Sequence, residues 1–182
     1  PEQNFADAIL GHQIDLLRYE ASVRARVLGV LTKMQAELTA TLTRADLTAF
    51  NKARTEAMLR ETTAIIDRYF AFVSGELELA MRGISGATAT ATAQAINASP
   101  LTVTLAAGLP TETFLARIAT NVLVLGAPAT TWIERQSADV AFKFANAVRQ
   151  GMVAGETNEA IVRRIVGSPK LGIPGIMDVA RS

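Results

Sequence analysis

Apolar residues recur at helical spacing along the first forty positions of the chain. Val23, Val27, Val30, Leu31, Met34, Leu38 and Leu42 follow one another in short steps that place their side chains on one face of an α-helix. The pattern predicts one long helix from Phe5 to about Leu42. Arg18, Arg24, Arg26, Lys33 and Glu37 occupy other faces, which makes this an amphipathic rod and not a membrane span. Thr43 to Asp46 supplies a break, after which Leu47 to Met81 reads as a second helix on a stripe of Phe50, Met58, Ile65, Tyr69, Phe72, Val73 and Leu77. Two long helices joined by a short connection pack as antiparallel neighbours. Residues 1–82 are therefore expected to form a helical hairpin.

At Gly83 the pattern changes. The stretch GISGATATATAQAINASPLTVTLAAGLP is rich in Ala and Thr, and ATATAT and LTVTL alternate as strands do. Residues 83–109 are expected to be an extended connector or arm. Such small side chains bury too little surface to hold an isolated β-hairpin, and an arm of this kind is suited to adding a strand to a neighbour's sheet edge.

From residue 110 helical signals return. Pro110 and Thr111 open a helix containing Phe114, Leu115 and Ile118, followed by the apolar run NVLVLG ending at Gly126. A helix from about Thr130 to Gln150 carries Trp132, Ile133, Val140, Phe142, Phe144 and Val148. Gly151 and Gly155 are expected to end it, because glycine takes a left-handed backbone at little cost. Thr157 then caps a last helix over Glu156 to Val166, with Glu156 and Glu159 near its positive end and Arg163 and Arg164 toward its negative end. GSPKLGIPG is turn-rich, and MDVARS reads as the start of a further helix, so the natural chain is expected to continue past Ser182. The fold class is thus mainly α, with a smaller helical module over 110–182.

Composition narrows the function classes. The 182 residues include 18 basic and 17 acidic side chains, a net charge of +1, so nothing global marks a nucleic-acid binder. Cysteine is absent, which excludes disulfides, thiolate metal sites and cysteine nucleophiles. The first residues, PEQNFADAIL, are polar and acidic where a secretory signal would be basic and then apolar. The protein is expected to act where it is made or to be carried inside a particle.

Candidate chemistry is sparse. His12 is the single histidine, with Asp15 three residues on as the nearest orienting group. Glu76 and Glu78 fall on different helix faces. No P-loop, GxSxG elbow or HExxH is present. Arg18, Arg24, Arg26, Arg44, Lys52, Arg54, Arg60 and Arg68 give the hairpin basic positions, balanced by Glu20, Glu37, Asp46, Glu56, Glu61 and Asp67. No catalytic, cofactor-binding or metal-binding set is expected. Trp132 is either a core anchor or a partner hot spot.

One stretch carries a family likeness. RQGMVAGETNEAIVRRIVG, with Trp132 upstream in TTWIERQSADVAFKFANAVRQG, resembles the minor head proteins, or head morphogenesis proteins, of tailed bacteriophages, of podovirus type. The residues that carry it are Trp132, Arg149, Gly151, Gly155, Glu156, Thr157, Ile161, Arg164 and Ile165. HQIDLLRYEASVRARVLGVL resembles the helical leader of such proteins more loosely, and residues 83–109 carry none of the likeness.

The resemblance implies a non-enzymatic structural protein of the virion head near the portal vertex, passing through the host cytoplasm during assembly. Its implied partners are the portal protein, the major capsid protein and other copies of itself, with packaged DNA as a further contact. Head assembly, genome packaging and DNA ejection are the roles it implies. Two alternatives stay open: a membrane-active ejected protein, and the docking module of a longer phage protein with a downstream enzyme or toxin domain.

Overall fold

The computed structural model describes residues 2–45, 52–98, 109–168 and 173–174. The fold is mainly α. Helices α1 (Glu2–Arg44) and α2 (Lys52–Ala98) form a long N-terminal pair. They are followed by α3 (Glu112–Asn121), strands β1 (Leu123–Val124) and β2 (Ala127–Pro128), α4 (Ala129–Val153), α5 (Asn158–Val166), and strands β3 (Gly167–Ser168) and β4 (Ile173–Pro174). Each strand pair is antiparallel and two residues long. The break after α1 and the positions of Phe50 and of the expected helix at MDVARS lie outside the described residues.

The expected extended connector is corrected over its first half. Residues 83–98 continue α2 without interruption, while 99–108 lie outside the described residues. Alanine is the best helix former, and alternation with threonine does not remove that preference. Thr92 donates its hydroxyl to the carbonyl of Thr88 at 2.8 Å, an internal satisfaction that threonine makes one turn back in a helix. Ile84, Thr88, Ala89, Thr92, Ala93 and Ile96 line one groove; their spacing is helical, and the two-residue alternation is a coincidence of composition.

The chain divides into two compact units, one of Pro1–Val27 with Gly75–Ala129 and one of Leu28–Ser74 with Thr130–Ser182. The second holds nearly all of the core among the described residues. Leu31, Met34, Leu38 and Leu42 of α1 are buried, as are Ile65, Ile66, Phe70 and Val73 of α2, Val140, Phe144 and Val148 of α4, and Ile161 and Ile165 of α5. Phe70, not Phe72, faces inward on α2; Phe72 is exposed, because it falls off the stripe that Ile66, Phe70 and Val73 define.

Polar contacts fasten the C-terminal helices to the pair within this unit. Ser137 Oγ donates to Asp67 Oδ1 at 2.9 Å, and Thr55 Oγ1 to Met152 Sδ at 3.6 Å. Asn158 Nδ2 donates to the carbonyl of Leu42 at 3.3 Å and to that of Ala45. It thereby caps the C-terminal end of α1, whose last carbonyls have no partner inside the helix. Asn158→Ala is expected to cost about 1–2 kcal/mol, read as a lower urea midpoint at unchanged m-value.

Arg68 Nη2 reaches both oxygens of Glu37 at 2.7 Å, and Tyr69 Oη donates to Glu37 Oε2 at 2.9 Å. The hydrogen bonds from Arg68, then from Tyr69, hold the Glu37 carboxyl below its ordinary range. A lowered folded-state value stabilises the fold above the unfolded carboxylate range and is lost as the pH falls through the folded one. Glu37→Gln is therefore expected to flatten the acid side of the stability–pH curve, measured by urea unfolding between pH 7 and pH 3. The carboxylate is half-buried and still open to solvent, so the change is small.

The first unit is built differently. Arg26 Nε donates to Glu76 Oε2 at 2.7 Å, and Tyr19 lies against Gly83, where an added Cβ would meet its hydroxyl at 2.6 Å. These contacts run in opposite directions along the two helices, which are antiparallel here. Yet only Val23, Ala80 and Ala119 are buried apolar residues among those described in this unit.

Candidate functional site: a capped joint and an exposed apolar surface

The resemblance residues gather at the α4–α5 joint, with two exceptions. The α4 helix ends in a Schellman arrangement: Glu156 N–H donates to the Gly151 carbonyl at 2.9 Å and Gly155 N–H to that of Met152 at 3.1 Å. Gly155 takes φ +67°, the left-handed conformation this ending requires. Thr157 then caps α5, its hydroxyl accepting from the Ala160 amide at 3.3 Å. Arg164 of α5 bonds back to Glu156 and lies 3.5 Å from Gln150 Oε1. Ile161 and Ile165 face inward and are buried.

Gly151 does not end α4, which continues to Val153. Its role is close approach: a Cβ there would lie 2.4 Å from Ile161 Cγ1, 2.9 Å from its Cδ1 and 3.1 Å from Glu156 Oε2. The joint thus folds α5 tightly against α4 where the missing side chain leaves room. Arg149 points elsewhere, into an open groove of about 580 Å³ lined also by Glu56, Arg60 and Asp67. Charges of both signs meet there, so the groove does not select an anion. Trp132 stands at the start of α4, 37% exposed, with the Arg135 guanidinium 5.3 Å from the ring centroid. It is a surface residue covered on one face by a cation.

The other candidates are placed as follows. His12 does not pair with Asp15, which is 3.4 Å from Arg18. Its Nε2 is buried without a hydrogen-bond partner among the described residues, beside a cavity of about 170 Å³ lined by Ala8, Ile9, Ala91 and Ala95. Glu76 and Glu78 pair separately, with Arg26 and Arg82. Among the described residues no three His, Asp or Glu side chains converge as a metal site would need, and no helix is long and apolar enough to cross a membrane.

The larger feature is the apolar surface of the first unit, which reading the sequence did not identify. Ile9, Leu10, Ile14 and Leu17 of α1 are exposed, as are Phe114 and Ile118 of α3. Ile84, Ile96, Leu115 and Ile118 line a groove of about 570 Å³ between α2 and α3. The run NVLVLG enters the β1–β2 hairpin, with Val124 opposite Ala127, Leu125 exposed at its tip and Leu123 exposed on its first strand.

Leu125 sits there at φ +50°, followed by Gly126 at φ +83°. Two-residue hairpin turns often require positive φ at both central positions, where Asn-Gly is the favoured pair. A leucine held left-handed costs about 1–2 kcal/mol, and this one is 90% exposed, so no burial offsets it. Leu125→Asn is expected to leave the fold unchanged or raise its stability by up to about 1 kcal/mol, measured by thermal unfolding.

Comparison with protein-family models, with curated proteins and with solved structures found no match.

Proposed function

We propose that the chain is a non-enzymatic assembly component whose first unit is covered by partners, and that its setting is a tailed-phage particle, as a minor head or portal-associated internal protein. One observation carries the assembly reading: the exposed large apolar side chains are concentrated in the first unit, while the second packs its own into a core. Soluble monomers seldom leave large apolar patches uncovered, and such surfaces mark contacts with partners. The virion setting rests on the likeness of the capped joint between α4 and α5 to minor head proteins.

On this reading the joint is structural. It holds α5 against α4, and no group in it is arranged to attack, protonate or coordinate. The portal protein, the major capsid protein and other copies of the chain are the proposed partners. Quantitative mass spectrometry of purified particles tests the setting. A fixed number of copies per portal is the expected result; absence from intact particles overturns it.

A further inference from the structure

Helix α1 carries two apolar stripes, and α2 covers only one of them. Tyr19 and Arg26 face α2, as their contacts with Gly83 and Glu76 show, and Val23 between them is buried. On the far side lie Asp7, Leu10, Ile14, Leu17, Ala21 and Arg24. At 100° per residue this second set is centred roughly 180° around the helix from the first. All six are exposed, with Leu10 at 60%, Ile14 at 48% and Leu17 at 64%. Their spacing alternates between three and four, the repeat of a coiled-coil seam.

We propose that this seam pairs with the same seam of a second copy of the chain, antiparallel, about a two-fold axis between Ile14 and Leu17. The inference rests on the assembly reading above but needs no particle. The six positions are symmetric about that axis, so antiparallel pairing sets Ile14 against Leu17, Leu10 against Ala21 and Asp7 against Arg24. A large residue then faces a small one, and opposite charges close both ends. Parallel pairing would set Asp7 against Asp7 and Arg24 against Arg24, which is repulsive.

The charged ends of the seam support the same partner. Among the described residues neither Asp7 nor Arg24 has an ion-pair partner within the chain, although their neighbours Asp15 and Arg18, and Arg26 and Glu76, are paired. A contact between identical surfaces is isologous and closes at two copies. Two heptads are short for a free coiled coil, but α1 is already ordered by α2, so pairing does not have to fold it. A bilayer surface fits less well, since Asp7 and Arg24 within the stripe and Arg18 and Glu20 beside it are of mixed sign, where helices that lie on anionic lipid carry Lys and Arg.

The chain has no cysteine, so Asp7→Cys and Arg24→Cys each introduce a unique thiol. Oxidising the two variants together is expected to link one to the other. Asp7→Cys alone is expected not to link to itself, because its thiols would lie about 25 Å apart along the seam, beyond disulfide reach. Sedimentation equilibrium of the purified full chain should show a dimer. Leu17→Glu should weaken it at least tenfold without loss of helicity by circular dichroism, since the residue is exposed in the single chain. Asp7→Arg should weaken it severalfold, and Asp7→Arg with Arg24→Asp should restore it.

A chain that stays monomeric at every soluble concentration overturns the proposal. So does self-linking of Asp7→Cys, a dimer indifferent to Leu17→Glu, or a monomer that binds phosphatidylcholine–phosphatidylglycerol vesicles through Leu17. Each is read on the purified chain, so failure here is distinct from absence of the protein from particles.

Discussion

Phe144→Ala is expected to lower the unfolding free energy of the second unit by about 3–5 kcal/mol. Phe144 has the largest fully buried side chain among the described residues, 1% exposed. It lies on the α4 stripe with Val140, Ala147 and Val148, in the unit where α1, α2 and α5 bury Met34, Ile66 and Ile161. Removing the ring forfeits its transfer from water and leaves a cavity that four packed helices close only in part. The chemical-denaturation midpoint checks this, with far-UV circular dichroism and tryptophan fluorescence followed together. Phe142, two residues away and 65% exposed, is the control, and its truncation is expected to move the midpoint little.

Gly151→Ala is expected to destabilise by about 1–3 kcal/mol, through overpacking. The sign is the informative part. In an open helix interior the same change stabilises by roughly 1 kcal/mol. At residue 151 the new methyl would lie 2.4 Å from Ile161 Cγ1, and Ile161 is fully buried, so it has nowhere to go. In an Ile161→Ala background the obstructing carbons are gone, and the second substitution should become neutral or mildly stabilising. That non-additivity, measured as a double-mutant cycle, separates a close-approach glycine from a helix-ending one. Gly155→Ala is the contrast: nothing lies within 4 Å of its would-be Cβ, and its cost is that of the left-handed backbone alone, about 1 kcal/mol.

The difference between those two glycines marks how far the sequence could be read. Both precede a capped helix, and both fit the expectation of a helix stop. Local sequence shows that glycine is wanted; it does not show whether the reason is φ or a neighbour's approach, because the neighbour at Ile161 is ten residues on and meets Gly151 only after the chain turns. Thr157, by contrast, was legible outright, since a cap needs only its own helix's amides. The long helix pair was legible for a similar reason, as Leu31, Met34, Leu38 and Leu42 recur with the helix period.

The segment after Gly83 carries conflicting signals, since alternation of Ala and Thr has the strand period while alanine has the helical propensity. With α1 alongside, the helix won. The hairpin at 123–128 was hidden in another way: Leu125-Gly126 is not a favoured pair for such a turn, and its left-handed leucine is a conformation that no residue pattern announces. The second stripe of α1 had its spacing in plain view. The first stripe, richer in valine and leucine and continuous with Met34 and Leu38, accounts for a helix by itself and so masks the second. Only the exposure of Leu10, Ile14 and Leu17 on a helix already covered by α2 on its other side makes them a surface in want of a partner.

The first unit's apolar surface is expected to become buried on assembly. Hydroxyl-radical footprinting of the free chain against its assembled form, read residue by residue by mass spectrometry, measures that burial. Leu17, Phe114, Leu123 and Leu125 are expected to be strongly oxidised in the free chain and several-fold protected in the assembly, while Phe144 stays protected in both. Equal oxidation of those four residues in the two forms would contradict it.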